Sequence, residues 1–271
     1  MCNLELKSLN ARKNIVELIH TVGNNGAHVS PVLSIVEIVI VLFCDILKLK
    51  RKDFLTNNRN HFILSKGHGA LAYYCAMYEA GIITKDELYS FDVDGGDYPG
   101  QPSKNLDKAI EYSSGTLGLG LSYACGLAMS KDAKAHNIYV LLGNGELNEG
   151  SVWESAMFAG FNKLNNITAI VDDNSMQADG YSNDILSFDI KKMWEACGWN
   201  VIECDGHNIN DLKKAFDIKT SLPKVIIAKT IKGKGISFIE GRPEWHHNRI
   251  TDEQYELAMN ELYQQEIKNG N

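Results

Sequence analysis

Residues 137–164 read "NIYVLLGNGELNEGSVWESAMFAGFNKL". The opening run "NIYVLL" has no polar side to turn toward water, which predicts a strand buried on both faces. From Gly150 onward the pattern predicts a helix, and a glycine-framed turn, Gly143–Gly150, joins the two. Strand, tight turn and helix in that order make half of a βαβ unit. Four further apolar runs repeat the signal: "HFILS" from His61, "NITAIVDD" from Asn166, "NVIECDG" from Asn200 and "KVIIAKT" from Lys224. Helix patterns alternate with them at 69–81, 118–134, 187–198 and 210–218. The fold class that follows is α/β, a doubly wound, mainly parallel sheet with helices on both faces, in a single domain over residues 1–271.

Composition limits what such a domain does. The 271 residues are 44% hydrophobic with a formal charge of −7, which supports a large core and disfavours a phosphate-backbone binder. Nucleic acid is not an expected partner. The greasiest run, "PVLSIVEIVIVLFCDIL" from Pro31, carries Glu37 and Asp45 and is shorter than a membrane crossing needs, so it predicts a buried core helix. No membrane segment or leader is expected. Six cysteines without metal-binding spacing suit a reducing cytoplasm. A tail from Thr251 predicts an amphipathic helix that frays at its polar end.

In sheets of this kind ligands bind beyond the carboxyl ends of the strands. Four loops there are unusual. "SKGHGA" sets His68 between Gly67 and Gly69, and "GNGELNEG" sets Asn144 between Gly143 and Gly145, with Glu146 and Glu149 following. "NSMQADG" opens on Asn174, and "IKGKGISFIEGRPEWHH" ends on His246 and His247. Each reads singly as an ordinary turn: a helix start, a tight strand-to-helix connection, a capping asparagine, a solvated basic loop. Together they read otherwise. Asn144 and Asn174 leave adjacent strand ends one βαβ length apart, so both amide oxygens can reach one hard cation such as Mg2+ or Ca2+. Glycine N–H groups beside a helix start would take the diphosphate that completes the metal.

With one substitution, Gly143, Asn144, Gly145 and Asn174 resemble the thiamine diphosphate signature, and the likeness extends along most of the chain. "GAHVSPVLSIVEI", "FILSKGHGALAYY", "SSGTLGLGLSYACGLAMS", "VDDNSMQADG" and "KGKGISFIEGRPEWHH" resemble, in order, segments of the diphosphate-binding part of transketolases. The resemblance implies a role for each matching position. Gly145 and Asn174 would contact the diphosphate, with Gly143 and Glu146 also among the cofactor-binding residues. Asn144, Asn174 and the Met176 carbonyl would bind the metal. Gly115 and Leu117 would line the aminopyrimidine. His68 and His246 would lie over the diphosphate and the reacting centre, and His28 would face the substrate. Glu149 would sit at a subunit interface. Imidazoles suit a ketol transfer because hydroxyl protons must be taken and returned near neutral pH.

Four departures stand out. Asn144 replaces the family's metal-binding aspartate, and Gln101 replaces a substrate-facing histidine, so that position can hydrogen-bond but not exchange a proton. His247 replaces a glycine after "EWH", and Leu119 replaces a polar residue. The sequence also stops where a full-length transketolase continues into the domain that supplies the cofactor-activating glutamate. The expectation is therefore one component of a split transketolase, acting on sugars or sugar phosphates with a C-terminal, pyrimidine-binding partner subunit in a heterotetramer. The alternatives that remain are a noncatalytic scaffold subunit, or a component of a related thiamine diphosphate enzyme. A nicotinamide-binding reading of "GTLGLG" fails on glycine spacing and on the weak strand before it.

Overall fold

The computed structural model describes residues 3–270 other than 131, 133 and 134. Its strands are β1 (Ala27–His28), β2 (His61–Leu64), β3 (Ile138–Gly143), β4 (Ile167–Asp173), β5 (Asn200–Asp205), β6 (Lys224–Lys229) and β7 (His247–Asn248). Five of them form one parallel sheet in the order β2-β3-β4-β6-β5, and β1 and β7 pair separately. All five strands read from the sequence are present. Their side chains alternate between two cores: Tyr139 and Leu141 enter one, while Ile138, Val140 and Leu142 enter the other. Helices Asn3–Val22, Val36–Val41, Ala70–Glu79, Ile209–Asp217 and Asp252–Gly270 cover the first face. Leu119–Met129, Gly150–Phe161 and Ile190–Ala196 cover the second. Strand β5, at one edge of the sheet, is only partly buried, and Glu203 in its middle is exposed.

Element boundaries moved where local chemistry overrode periodicity. The run from Pro31 is buried as expected, but it is no single helix. It breaks after Leu33, resumes at Val36–Val41 and widens into a π-type turn over Leu42–Leu47, which ends with Lys48 left-handed at φ 51°. The helix expected over 118–134 ends at Met129, with Ser130 extended, and the positions 131, 133 and 134 lie outside the described residues. No helix among the described residues is long and apolar enough to cross a membrane.

This topology sends the loops after β2, β3, β4 and β6 to one end of the sheet. Gly143 pairs in register with Asp172, so the glycine turn and the Asn174 loop leave neighbouring strands side by side. The return from β5 to β6 puts the lysine-rich loop beside them.

Candidate active site

The four loops close around a cavity of about 280 Å3 lined by Lys66, His68, Leu117, Gly143, Asn144, Gly145, Glu146, Glu149, Asp172, Asn174, Met176, Gln177, Lys232 and His246, among others. Most of the residues expected from the sequence are here. Gly115 is exposed and does not line this cavity, while His28 and Gln101 line an adjoining one that shares His68. A Cβ at position 67 would run into the Gln101 amide oxygen and push that side chain aside.

Asp172 is the hub of the floor, and the sequence reading did not single it out. Fully buried at the end of β4, it accepts from Lys66 Nζ at 2.6 Å, Ser34 Oγ at 2.8 Å, Asn174 Nδ2 at 2.8 Å and the Thr230 hydroxyl. Burial would raise its pKa, but the Lys66 ammonium and the hydroxyl donors hold it below the usual carboxylate range. Four chain segments thus converge on one carboxylate.

Glu146 also works inward. Its oxygens accept from Gly143 N at 3.0 Å, Gly118 N at 2.9 Å and the Ser65 hydroxyl, and Gly120 N donates to Ser65 Oγ at 3.2 Å. Burial raises the Glu146 pKa against those donors. Its visible task is to clamp the glycine turn to the start of the Leu119–Met129 helix.

The two asparagines stand at the cavity wall with their amides engaged. Asn144 Nδ2 donates to Asp173 Oδ1 at 2.7 Å, and its Oδ1 accepts from the Ser182 hydroxyl. Asn174 Oδ1 accepts from Met176 N at 3.0 Å. Both amides therefore have fixed orientations, and a cation would have to share or displace these bonds to reach the oxygens.

Positive charge lines the opposite side. The loop after β6, whose spacing also fits a solvated basic loop, instead buries Lys232, which donates to the Gln177 carbonyl at 2.5 Å. Burial, then the neighbouring Lys66, lowers Lys232 to a pKa of about 8. Gln177 Nε2 and His246 Nδ1 are buried without a hydrogen-bond partner among the described residues. With Lys66 neutralised by Asp172, the Lys232 ammonium and the unsatisfied Gln177 amide are the donors that suit this cavity to an anion.

Three imidazoles form the upper wall. The His28 and His68 rings stack at 4.0 Å, and His246 stands edge-on at 5.0 Å from His68 and 5.6 Å from His28. The β1–β7 pairing brings the first and last of these together, in register Ala27 with Asn248 and His28 with His247. Burial first, and nearby imidazoles and lysines second, depress His28 to about 3, His68 to about 4 and His246 to about 3. All three are held neutral at physiological pH, where such depressed pKa values make them weak bases.

These shifts set an acid sensitivity. Between the ordinary histidine value of 6.5 and the folded values near 3 to 4, the unfolded chain binds protons that the folded chain does not. Stability should therefore fall as pH drops from 6.5 toward 4. Thermal midpoints measured by circular dichroism at pH 7.5 and 4.5 should show a smaller drop for the His28→Asn/His246→Asn variant than for the unmodified chain. Equal drops would mean that the cluster does not carry the effect.

The chain matches the family described as "Transketolase, thiamine diphosphate binding domain" over residues 12–266. It belongs to that family. It is 43% identical over 96% of its length to an apulose-4-phosphate transketolase subunit of Actinobacillus succinogenes, covering 95% of that protein. Human transketolase is 36% identical, and there the chain spans 42% of the relative's length. Among solved structures, the Campylobacter jejuni transketolase superposes with a TM-score of 0.86 at 25% identity, over 97% of this chain and 43% of that one.

Proposed function

We propose that the chain is the diphosphate-binding subunit of a two-component transketolase, moving a two-carbon ketol unit from a ketose or ketose phosphate to an aldose. The observation that carries this reading is the cavity that pairs two buried lysines with two amide side chains on adjacent strand ends. Lys66, Lys232, Gln177 and the N–H group of Gly145 would hold the diphosphate of thiamine diphosphate. Asn144, Asn174 and the Met176 carbonyl would hold Mg2+ or Ca2+. When bound, the cofactor supplies an electron sink for the two-carbon unit. The chain's own residues orient it and exclude water, and the neutral imidazoles of His28, His68 and His246 take and return hydroxyl protons.

Relatives of nearly the same length are named as subunits of a transketolase rather than as the whole enzyme, which supports a separate partner that supplies the pyrimidine-binding half. Exposed Glu149, on the cavity wall, suits a place at that junction. Two copies of each component would complete two composite sites. Free Cys44, Cys75, Cys125, Cys197 and Cys204 support a cytoplasmic location. The 43% identical relative makes apulose 4-phosphate the first donor to test, with xylulose 5-phosphate beside it.

Titration calorimetry tests the cofactor half of this reading. Thiamine diphosphate should bind the chain in the presence of Mg2+ and much more weakly in EDTA, and NAD should not bind. Metal-independent binding, or binding of NAD, would contradict it.

A further inference from the structure

Beside the cofactor cavity lies a second one of about 270 Å3, and the two share His68 as a common wall. His28, Asp92, Gln101 and His247 line its other sides. Its chemistry is that of a polyol pocket. Gln101 Oε1 is buried against Gly67 with no hydrogen-bond partner among the described residues, as is the nearby Ser114 hydroxyl. Asp92 Oδ1 accepts from Gly100 N at 3.0 Å.

His247 differs from the other imidazoles here. It is exposed, whereas His28, His68 and His246 are half-buried. It does not lie there by chance. Directly paired residues of an antiparallel ribbon point to the same side, and the register of His28 with His247 puts both rings on the cavity side, edge-on at 4.9 Å. Gly26, at φ 65°, makes room for this, because a Cβ there would lie 3.3 Å from His247 Cε1 and 3.0 Å from the Asn248 carbonyl.

We infer that His247 is a specificity-determining residue that touches the sugar, gripping one of its hydroxyls. This rests on the transketolase reading. A site built to hydrogen-bond a hydroxyl rejects analogues that lack it far more strongly than an apolar wall would. His247 therefore selects among ketoses by their hydroxyl pattern at this end of the site.

The test uses the complex reconstituted with its partner, assayed with apulose 4-phosphate and xylulose 5-phosphate. His247→Gly should lower kcat/KM for the better donor by about tenfold, roughly the loss of one good hydrogen bond. Thiamine diphosphate affinity should stay within about twofold, and His247→Gln, which keeps a side-chain donor, should recover most of the loss. Unchanged kcat/KM in an active complex would overturn the role of His247 alone. A parallel fall in cofactor affinity would also overturn it, by showing a structural defect. No turnover by the unmodified complex would overturn the functional reading on which the inference stands.

Discussion

Asp172→Ala should destabilise the chain by about 3–5 kcal/mol, because the substitution strands the Lys66 ammonium in the interior without a counter-charge. The loss does not stop at one ion pair. Ser34 Oγ, Asn174 Nδ2 and the Thr230 hydroxyl lose the same acceptor, and each belongs to a different segment of the site. For a chain of this size the thermal midpoint should fall by about 10 °C. Asp172→Leu combined with Lys66→Met should cost less than Asp172→Ala alone, since removing both charges leaves neither uncompensated. Urea unfolding of the three proteins checks this. A cost below about 1 kcal/mol for Asp172→Ala would mean that the carboxylate is not the keystone of the loops.

The contrast between what was legible in the sequence and what was not follows from this network. Strands buried on both faces leave an unbroken apolar run, so β2, β3, β4 and β6 were plain, and the glycine-framed loops after them marked the end of the sheet that matters. His68, His246, Asn144 and Asn174 were found because each stands in a loop of unusual composition, and His28 through resemblance; the structure gathers them around two adjoining cavities. Gly115 was placed in the site by resemblance, yet it lies exposed outside the cavity lining.

Asp172, Lys66 and Lys232 were passed over because their roles depend on burial, which a charged letter in a loop does not announce. Two signals existed. An acidic pair closing an otherwise apolar strand, as in "ITAIVDD", is costly unless partners wait for it, and a lysine beside a glycine-rich turn can fold inward. The β1–β7 pairing left no pattern, since two residues on each side are too few to show a period. It is nevertheless what sets His28 beside His246 and His247.

In the proposed two-component enzyme this chain holds half of a composite active site. Its buried carboxylates at the cavity, Glu146 and Asp172, are consumed by internal hydrogen bonds, and burial lowers the pKa values of its three imidazoles. Neither set provides the cofactor-activating glutamate that the resemblance assigns to a second polypeptide. The most direct measurement is ketol transfer from xylulose 5-phosphate or apulose 4-phosphate, with thiamine diphosphate and Mg2+, by this chain alone, by its partner alone and by the two mixed. The account predicts turnover only in the mixture, rising with added partner to a plateau at one partner chain per copy of this one. Turnover by the purified chain alone, or none by a mixture shown to associate and to bind the cofactor, would contradict it.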